Sequence, residues 1–274
     1  MSCKSSPPDK LSVIETEILY FYALSNLILF MKFMMMTFWL SILTVLLAAC
    51  FQESSPNDNT IIPGAQRTEE YRSYLEGRHV AVVANHTSLA GKQHLVDHLL
   101  SEGFAVAKIF APEHGFRGTG DAGAHIEDGI DTRSGLPVIS LYGNQRKPSV
   151  KDLAGIDLVV FDIQDVGVRF YTYFSTMHYV MEACAELQIP FMVFDRPNPN
   201  GGYVDGPVLK EEHRSFVGMH PVPLVHGMTA GEYARMINGE GWLQNDLRCE
   251  LHVIPCKNYH HKVVYERSEE RRVG

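Results

Sequence analysis

Five stretches of this chain, Val80-Ala81-Val82-Val83-Ala84, Ala105 to Phe110, Pro137 to Tyr142, Asp157 to Asp162 and Pro190 to Asp195, are almost unbroken in apolar residues. A strand with one face in water alternates polar and apolar residues, whereas a run without alternation has to be buried on both faces. Between these runs the apolar spacing changes to that of helices. Leu95, Val96 and Leu99 predict one over Gly91 to Glu102, stopped by Gly103; Ser149 to Ala154 reads as a short one and Thr172 to Leu187 as a long one. Strands and helices in alternation define an α/β fold, a parallel sheet with helices on both faces.

In an open parallel sheet the carboxyl ends of the strands share one edge, and ligands bind there where the strand order reverses. The polar residues of this chain fall at those ends. The first run leads into Asn85-His86-Thr87-Ser88, the second into Glu113-His114, the fourth into Asp162-Ile163-Gln164-Asp165-Val166-Gly167, and the fifth into Asp195-Arg196-Pro197-Asn198. The second loop, Ala111 to Gly123, is the richest: Pro112 bars helical continuation, four glycines permit close backbone approach, and Glu113, His114, Arg117 and Asp121 supply a proton donor, a neutral-pH base, a cation and a carboxylate. Taken singly, these residues also have structural explanations. Asn85 and Asn198 suit turns, Asp162 and Asp195 suit helix caps, and His86 suits an ordinary hydrogen-bonding role. Their convergence on one edge is what points to a site.

Several functions are excluded. A net charge of -8 with no basic stripe argues against a nucleic-acid partner. Neither a Gly-x-Gly-x-x-Gly turn nor a Gly-Lys-Ser/Thr phosphate loop follows the first strand, so the fold alone assigns no nucleotide. Cys184, Cys249 and Cys256 have neither a paired count nor metal-ligand spacing. What remains is a set of carboxylates, amides, histidines and tyrosines with Arg169 and Arg196, suited to a hydroxyl-rich, partly anionic ligand.

The first 50 residues stand apart. Met31-Lys32, the apolar run from Phe33 and the close Leu47-Ala48-Ala49-Cys50 read as a bacterial lipoprotein signal, with translation starting at Met31 or one of Met34 to Met36, cleavage before Cys50 and lipid on its sulfur; a plain membrane anchor is the alternative. Residues 51–68 read as a tether, rich in Ser, Pro, Asn and Asp up to Pro63. The body is then expected in the bacterial cell envelope, periplasmic or at the cell surface.

Longer motifs carry a resemblance. Phe110-Ala111-Pro112-Glu113-His114-Gly115-Phe116-Arg117-Gly118 with Asp121-Ala122-Gly123, then Ser140-Leu141-Tyr142-Gly143, Phe161-Asp162-Ile163-Gln164-Asp165-Val166-Gly167 with Arg169-Phe170-Tyr171-Thr172-Tyr173, Asp195-Arg196-Pro197-Asn198-Pro199, Ser215-Phe216-Val217-Gly218 and His226-Gly227-Met228-Thr229 resemble the NamZ-type exo-β-N-acetylmuramidases, over about Val80 to Glu266. The resemblance implies a Rossmann-like domain, over residues 69–228, followed by the start of a smaller C-terminal α+β domain at residues 229–274. It implies removal of N-acetylmuramic acid from the non-reducing end of peptidoglycan-derived muropeptides or disaccharides. The family's essential glutamate falls on Glu113, and its sugar-binding surroundings on Asn85, His86, Asp162, Gln164, Arg169, Tyr171 and Asp195. His86 departs from the family pattern, which has glutamine there. Beyond Glu266 the chain turns polar where the family continues, so the resemblance implies C-terminal truncation.

Glycosidic cleavage needs an acid for the leaving oxygen and a group that stabilises or traps the oxocarbenium-like centre. Glu113 is assigned the acid. Asp165, or the acetamido group of the sugar itself, is left open for the second role; His114 counts with the catalytic residues and Asp121 with the substrate-binding ones. Arg169 or Arg196 is expected to pair with the lactyl carboxylate. No cofactor or metal is expected, although His86, His114 and His125 with Asp121 and Asp162 leave a metal-dependent hydrolase as a rival. A non-catalytic lipoprotein that binds wall fragments is the other rival.

Overall fold

Strand β1 (His79–Ala84) is buried at every position after His79 and runs through the middle of a seven-stranded sheet. The computed structural model describes residues 24–25, 28–39, 60–117, 128–143 and 145–263. A two-stranded hairpin, β2 (Leu89–Ala90) and β3 (Gln93–His94), follows β1. The remaining strands are β4 (Ala105–Ala111), β5 (Gly129–Ile130), β6 (Pro137–Ser140), β7 (Leu158–Asp162), β8 (Phe191–Phe194) and β9 (Leu251–Ile254). Their order is β5-β6-β4-β1-β7-β8-β9, and every neighbouring pair is parallel except the short edge pair of β5 with β6.

Because side chains alternate along a strand, the unbroken apolar runs feed two separate cores. On one face Val83, Val159, Phe161 and Val193 pack under helix α3 (Tyr173–Leu187) and helix α4 (Ala230–Glu240), through Met177, Val180, Met181, Tyr233 and Ile237. On the other, Val80, Val82, Val160 and Phe194 pack under helices α1 (Thr68–Leu75) and α2 (Leu95–Ser101), through Tyr71, Leu75, Leu95 and Leu99. Tyr71 stacks on Phe194 at 4.3 Å. Truncating a sealed ring such as Phe161 to alanine there should cost roughly 3–5 kcal/mol.

The structure departs from expectation in four places. Ser149 to Ala154 forms turns instead of a helix, because Asp152 folds its carboxylate back onto the Ser149 amide and hydroxyl, at 2.8 and 2.6 Å, and Gly155 leaves at φ 73°. The helix expected from Gly91 begins only at Leu95: Gly91, at φ 66°, turns the hairpin, and His94 caps the helix by accepting the Val96 amide at 3.3 Å. The tether predicted to reach residue 68 gives way to structure at Ile62, which bridges Lys257, and at Gly64, whose amide donates to Asp195 O at 2.9 Å. From residue 229, α4 and β9 continue the same sheet, α4 opening on a reciprocal Thr229–Glu232 capping box.

The chain divides into two units at Asp58/Asn59. In the first, residues 28–39 are helical, and their phenylalanine, methionine and tryptophan side chains are exposed. Among the described residues no helix is long and apolar enough to cross a membrane. Cys50, the expected lipid acceptor, lies outside the described residues.

Candidate active site

From β1 the chain steps outward to β4 and β6, then returns to place β7 on the other side of β1. The loops after β1 and β7 therefore flank the crevice at which ligands bind in such sheets. They are sewn together by side chains. Asn85 Oδ1 accepts from the Thr87 amide at 2.9 Å and hydroxyl at 2.6 Å; the Thr87 hydroxyl oxygen in turn accepts the Gln164 amide at 3.0 Å. Ser88 Oγ donates to the Asp162 carbonyl. Gln164 Nε2 reaches across to the Asp165 and Pro197 carbonyls at 2.7 and 2.8 Å.

Arg196 and Asp195 belong to this framework as well. Arg196 holds the buried Asp162 carboxylate with Nε and Nη2 and donates to the half-buried Leu89 O at 2.8 Å. Expected to meet a ligand carboxylate, it is committed to the fold. Asp195 sits at the N-terminus of α4, accepting from Gly231 N and Thr229 Oγ1, each at 2.8 Å, and burial pushes its carboxyl up to about 6. Asn85 Nδ2 and His86 Nδ1 are buried without a protein partner among the described residues, groups that a hydroxyl-rich ligand would satisfy.

The loop after β4 places Glu113. Pro112 ends the strand, the Gly115 amide closes a turn onto the Pro112 carbonyl at 3.1 Å, and His114 sits in the left-handed region at φ 69°. A non-glycine residue there is strained, and such strain gathers at functional positions. Glu113 is half-buried and accepts from Thr172 Oγ1 at 3.3 Å. The Glu113 carboxylate also holds the Tyr142 phenol above its ordinary value. Phe116 is buried edge-on against the His94 ring at 4.6 Å. Arg117 is consumed by Asp131 at 2.7 and 2.8 Å and by Asp97 at 3.2 Å, and its guanidinium keeps Asp131 well below the usual carboxylate range. It anchors the loop's far end. Asp121 and His125 lie outside the described residues.

The loop after β7 carries the remaining groups. Asp165 Oδ1 accepts the Gly167 amide at 2.7 Å, and Gly167, at φ 77°, has no room for a Cβ beside the Asn198 side chain. Arg169 is partly exposed; its Nη1 donates to Pro207 O at 2.9 Å and Val222 O at 2.5 Å, and no carboxylate lies in ion-pair range among the described residues. Tyr171 is half-buried, edge-on to Tyr173 at 4.8 Å. Behind it His226 accepts the Met228 amide at 3.2 Å and packs on Phe174 and Tyr233; burial pushes it down to about 4, so it is neutral. Tyr142, Thr172 and His226 all lie within the motifs read from the sequence, yet none was given a role there. Only the strand order brings Tyr142 and Thr172 to Glu113.

The family model described as exo-beta-N-acetylmuramidase NamZ, N-terminal, matches residues 80–273. The peptidoglycan beta-N-acetylmuramidase NamZ of Bacillus subtilis (strain 168) is 43% identical over 203 residues, which cover 72% of this chain and 47% of that protein. Crystal structures of two DUF1343 family proteins from Bacteroides fragilis NCTC 9343 superpose with TM-scores of 0.69 and 0.70, at 47% and 38% identity. They cover 75% and 77% of this chain, and 54% and 53% of their own lengths are matched. The chain thus spans about half the length of these relatives.

Proposed function

Because the chain belongs to the exo-beta-N-acetylmuramidase NamZ family, through that family's N-terminal portion, we propose that it takes part in releasing N-acetylmuramic acid from the non-reducing end of peptidoglycan fragments. The observation that carries this reading is Glu113, half-buried at the carboxyl edge of the sheet, bonded by the Thr172 hydroxyl and raising the Tyr142 phenol above its ordinary value. In the proposed reaction Glu113 gives its proton to the glycosidic oxygen as the C1–O bond breaks, and the leaving sugar departs as an alcohol. Asp165 or the sugar's own acetamido oxygen stabilises the positive centre at C1. Water then attacks C1 and returns a proton to Glu113, restoring the acid.

The lactyl carboxylate that marks muramic acid is assigned to Arg169, since Arg196 is taken up by Asp162. Asn85, His86 and Tyr171 are assigned to the sugar's hydroxyl and acetamido groups. The proposed setting is the bacterial cell envelope, with the protein held to the membrane by lipid on Cys50. The reading is tested with a chromogenic N-acetylmuramic acid glycoside. Turnover by the chain, abolished in Glu113→Gln without a change in melting temperature, supports it. Saturable binding of wall fragments without turnover would make the protein a wall-fragment binder.

A further inference from the structure

A cavity of about 570 Å³ opens beside α3, walled by Tyr179, Phe216 and Trp242 and provided with polar groups by Arg214, Ser215 and Gln244. It lies apart from the Asn85–Asp162 crevice, but the same helix serves both. Positions i, i+3 and i+7 fall on one helical face. On α3 and its N-cap these are Thr172, which donates to Glu113, Ser175, whose hydroxyl donates to Phe216 O at 2.7 Å, and Tyr179, whose ring lies near-parallel to Phe216 at 6.2 Å. Seven residues of helix advance about 10 Å. The Tyr179 wall of the cavity therefore lies about 10 Å along the helix from Thr172, the residue that bonds the proposed acid, on the same helical face.

Its chemistry is specific. Pyranose rings have apolar faces and hydroxyl-bearing edges, which matches aromatic walls with a few converging polar groups. Arg214 adds a positive charge that is lightly held: its one ion pair among the described residues, with exposed Glu211 at 3.4 Å, is of the kind that contributes little. Arg146, stacked over Phe216 at 4.3 Å, adds a second guanidinium nearby. His178, which also lines the cavity, is held neutral by burial. The walls thus favour an anionic saccharide over a neutral one.

We propose that this cavity is a subsite for the leaving part of the substrate, a short saccharide whose carboxylate pairs with Arg214. The proposal rests on the functional reading above. Glucosamine and muramic acid alternate in peptidoglycan, so once the terminal muramic acid occupies the position next to Glu113, the second sugar of the leaving part carries a lactyl carboxylate again. That group reaches the cavity while the first leaving sugar spans the distance.

Trp242 reports on the cavity directly, because the chain has two tryptophans and Trp39 lies in the separate N-terminal unit. In a Trp39→Phe background, titration with the N-acetylglucosaminyl–N-acetylmuramic acid disaccharide should change Trp242 emission saturably. Arg214→Gln should raise the Kd roughly 10-fold or more, and N-acetylglucosamine alone should produce no saturable change. In turnover, Arg214→Gln should lower kcat/KM at least about 10-fold more for a substrate with two sugars beyond the scissile bond than for the chromogenic glycoside. Silent Trp242 emission, or equal affinities in wild type and Arg214→Gln, overturns the subsite even if the glycoside is hydrolysed. Absence of glycoside turnover overturns the functional reading, while the titration still decides the cavity.

Discussion

Arg196 grips Asp162 through both arms of its guanidinium, Nε on Oδ1 at 2.6 Å and Nη2 on Oδ2 at 2.9 Å, with the carboxylate fully sealed from water. A buried pair is not itself strong evidence of stability, but removing one partner strands the other's charge. Arg196→Ala should therefore cost about 3–5 kcal/mol in urea unfolding. A loss below about 1 kcal/mol would mean that the pair is not a structural tie and would return Arg196 to the ligand-binding candidates.

Glu113 and its hydroxyl partner Thr172 separate chemistry from folding. Glu113→Gln keeps the shape but carries no acidic proton, so kcat should fall roughly 10²–10⁴-fold on a natural disaccharide and less on a glycoside with a very good leaving group. Thr172→Val removes only the hydroxyl donor and should lower kcat by about 10-fold. Equal losses on both substrates, together with a lower Tm, would assign Glu113 a structural role.

Arg169 offers a test of ligand choice. Arg169→Gln should weaken binding of N-acetylmuramic acid by about 1.5–3 kcal/mol, the range for a charge-assisted hydrogen bond, and spare N-acetylglucosamine, which lacks the lactyl group. Calorimetry with both sugars on one preparation decides it. Because Arg169 Nη1 also ties Pro207 O and Val222 O, a matched fall for the two sugars would indicate that loosening of this loop is the cause.

Stability should fall on mild acidification. His226 is pushed down to about 4 by burial, and burial likewise lowers His178 and His220. Between the ordinary histidine value near 6.5 and about 4, the folded state binds fewer protons than the unfolded chain, so stability present above pH 6.5 is lost as the pH drops. Asp195, raised to about 6, works the other way, because the folded state binds its proton more tightly between 3.8 and about 6. These three histidines and His94, also lowered by burial, outweigh Asp195 and His261, which its bond to Glu232 raises, and leave a net fall in Tm from pH 6.5 to 4.5. His226→Asn should flatten that slope and Asp195→Asn should steepen it. A Tm independent of pH across this window would contradict the burial of neutral histidines as the controlling effect.

The sheet was legible in the sequence because burial on both faces removes alternation, and β1, β4, β7 and β8 carry that signature. The turn at Ser149 was not, because one carboxylate, Asp152, outcompetes helix formation over so few residues. At the crevice, residue types announced the polar edge, but not which groups the fold itself uses. Asp162 and Arg196 stand 34 positions apart, and Thr172 and Glu113 stand 59 apart. No local pattern encodes such pairings; they follow from the strand order. His114 shows a further limit, since its left-handed backbone comes from the turn around it, and a histidine does not advertise a positive φ as a glycine does.

The central parallel pair has a kinetic consequence. β1 and β4 are joined by a short connection, but β1 meets β7 only after the intervening chain has closed, as the contact of His79 N with Asp157 Oδ2 across 78 positions indicates. Loops of that span lose much entropy before any contact repays it, so long-range parallel pairing is slow. The crevice lies between β1 and β7, so it comes into being only with this late closure. A nascent chain released after β4 and β6 would hold Glu113 in the loop after β4 and yet have no cleft, and substrate-analogue binding should appear in refolding only with the slowest phase.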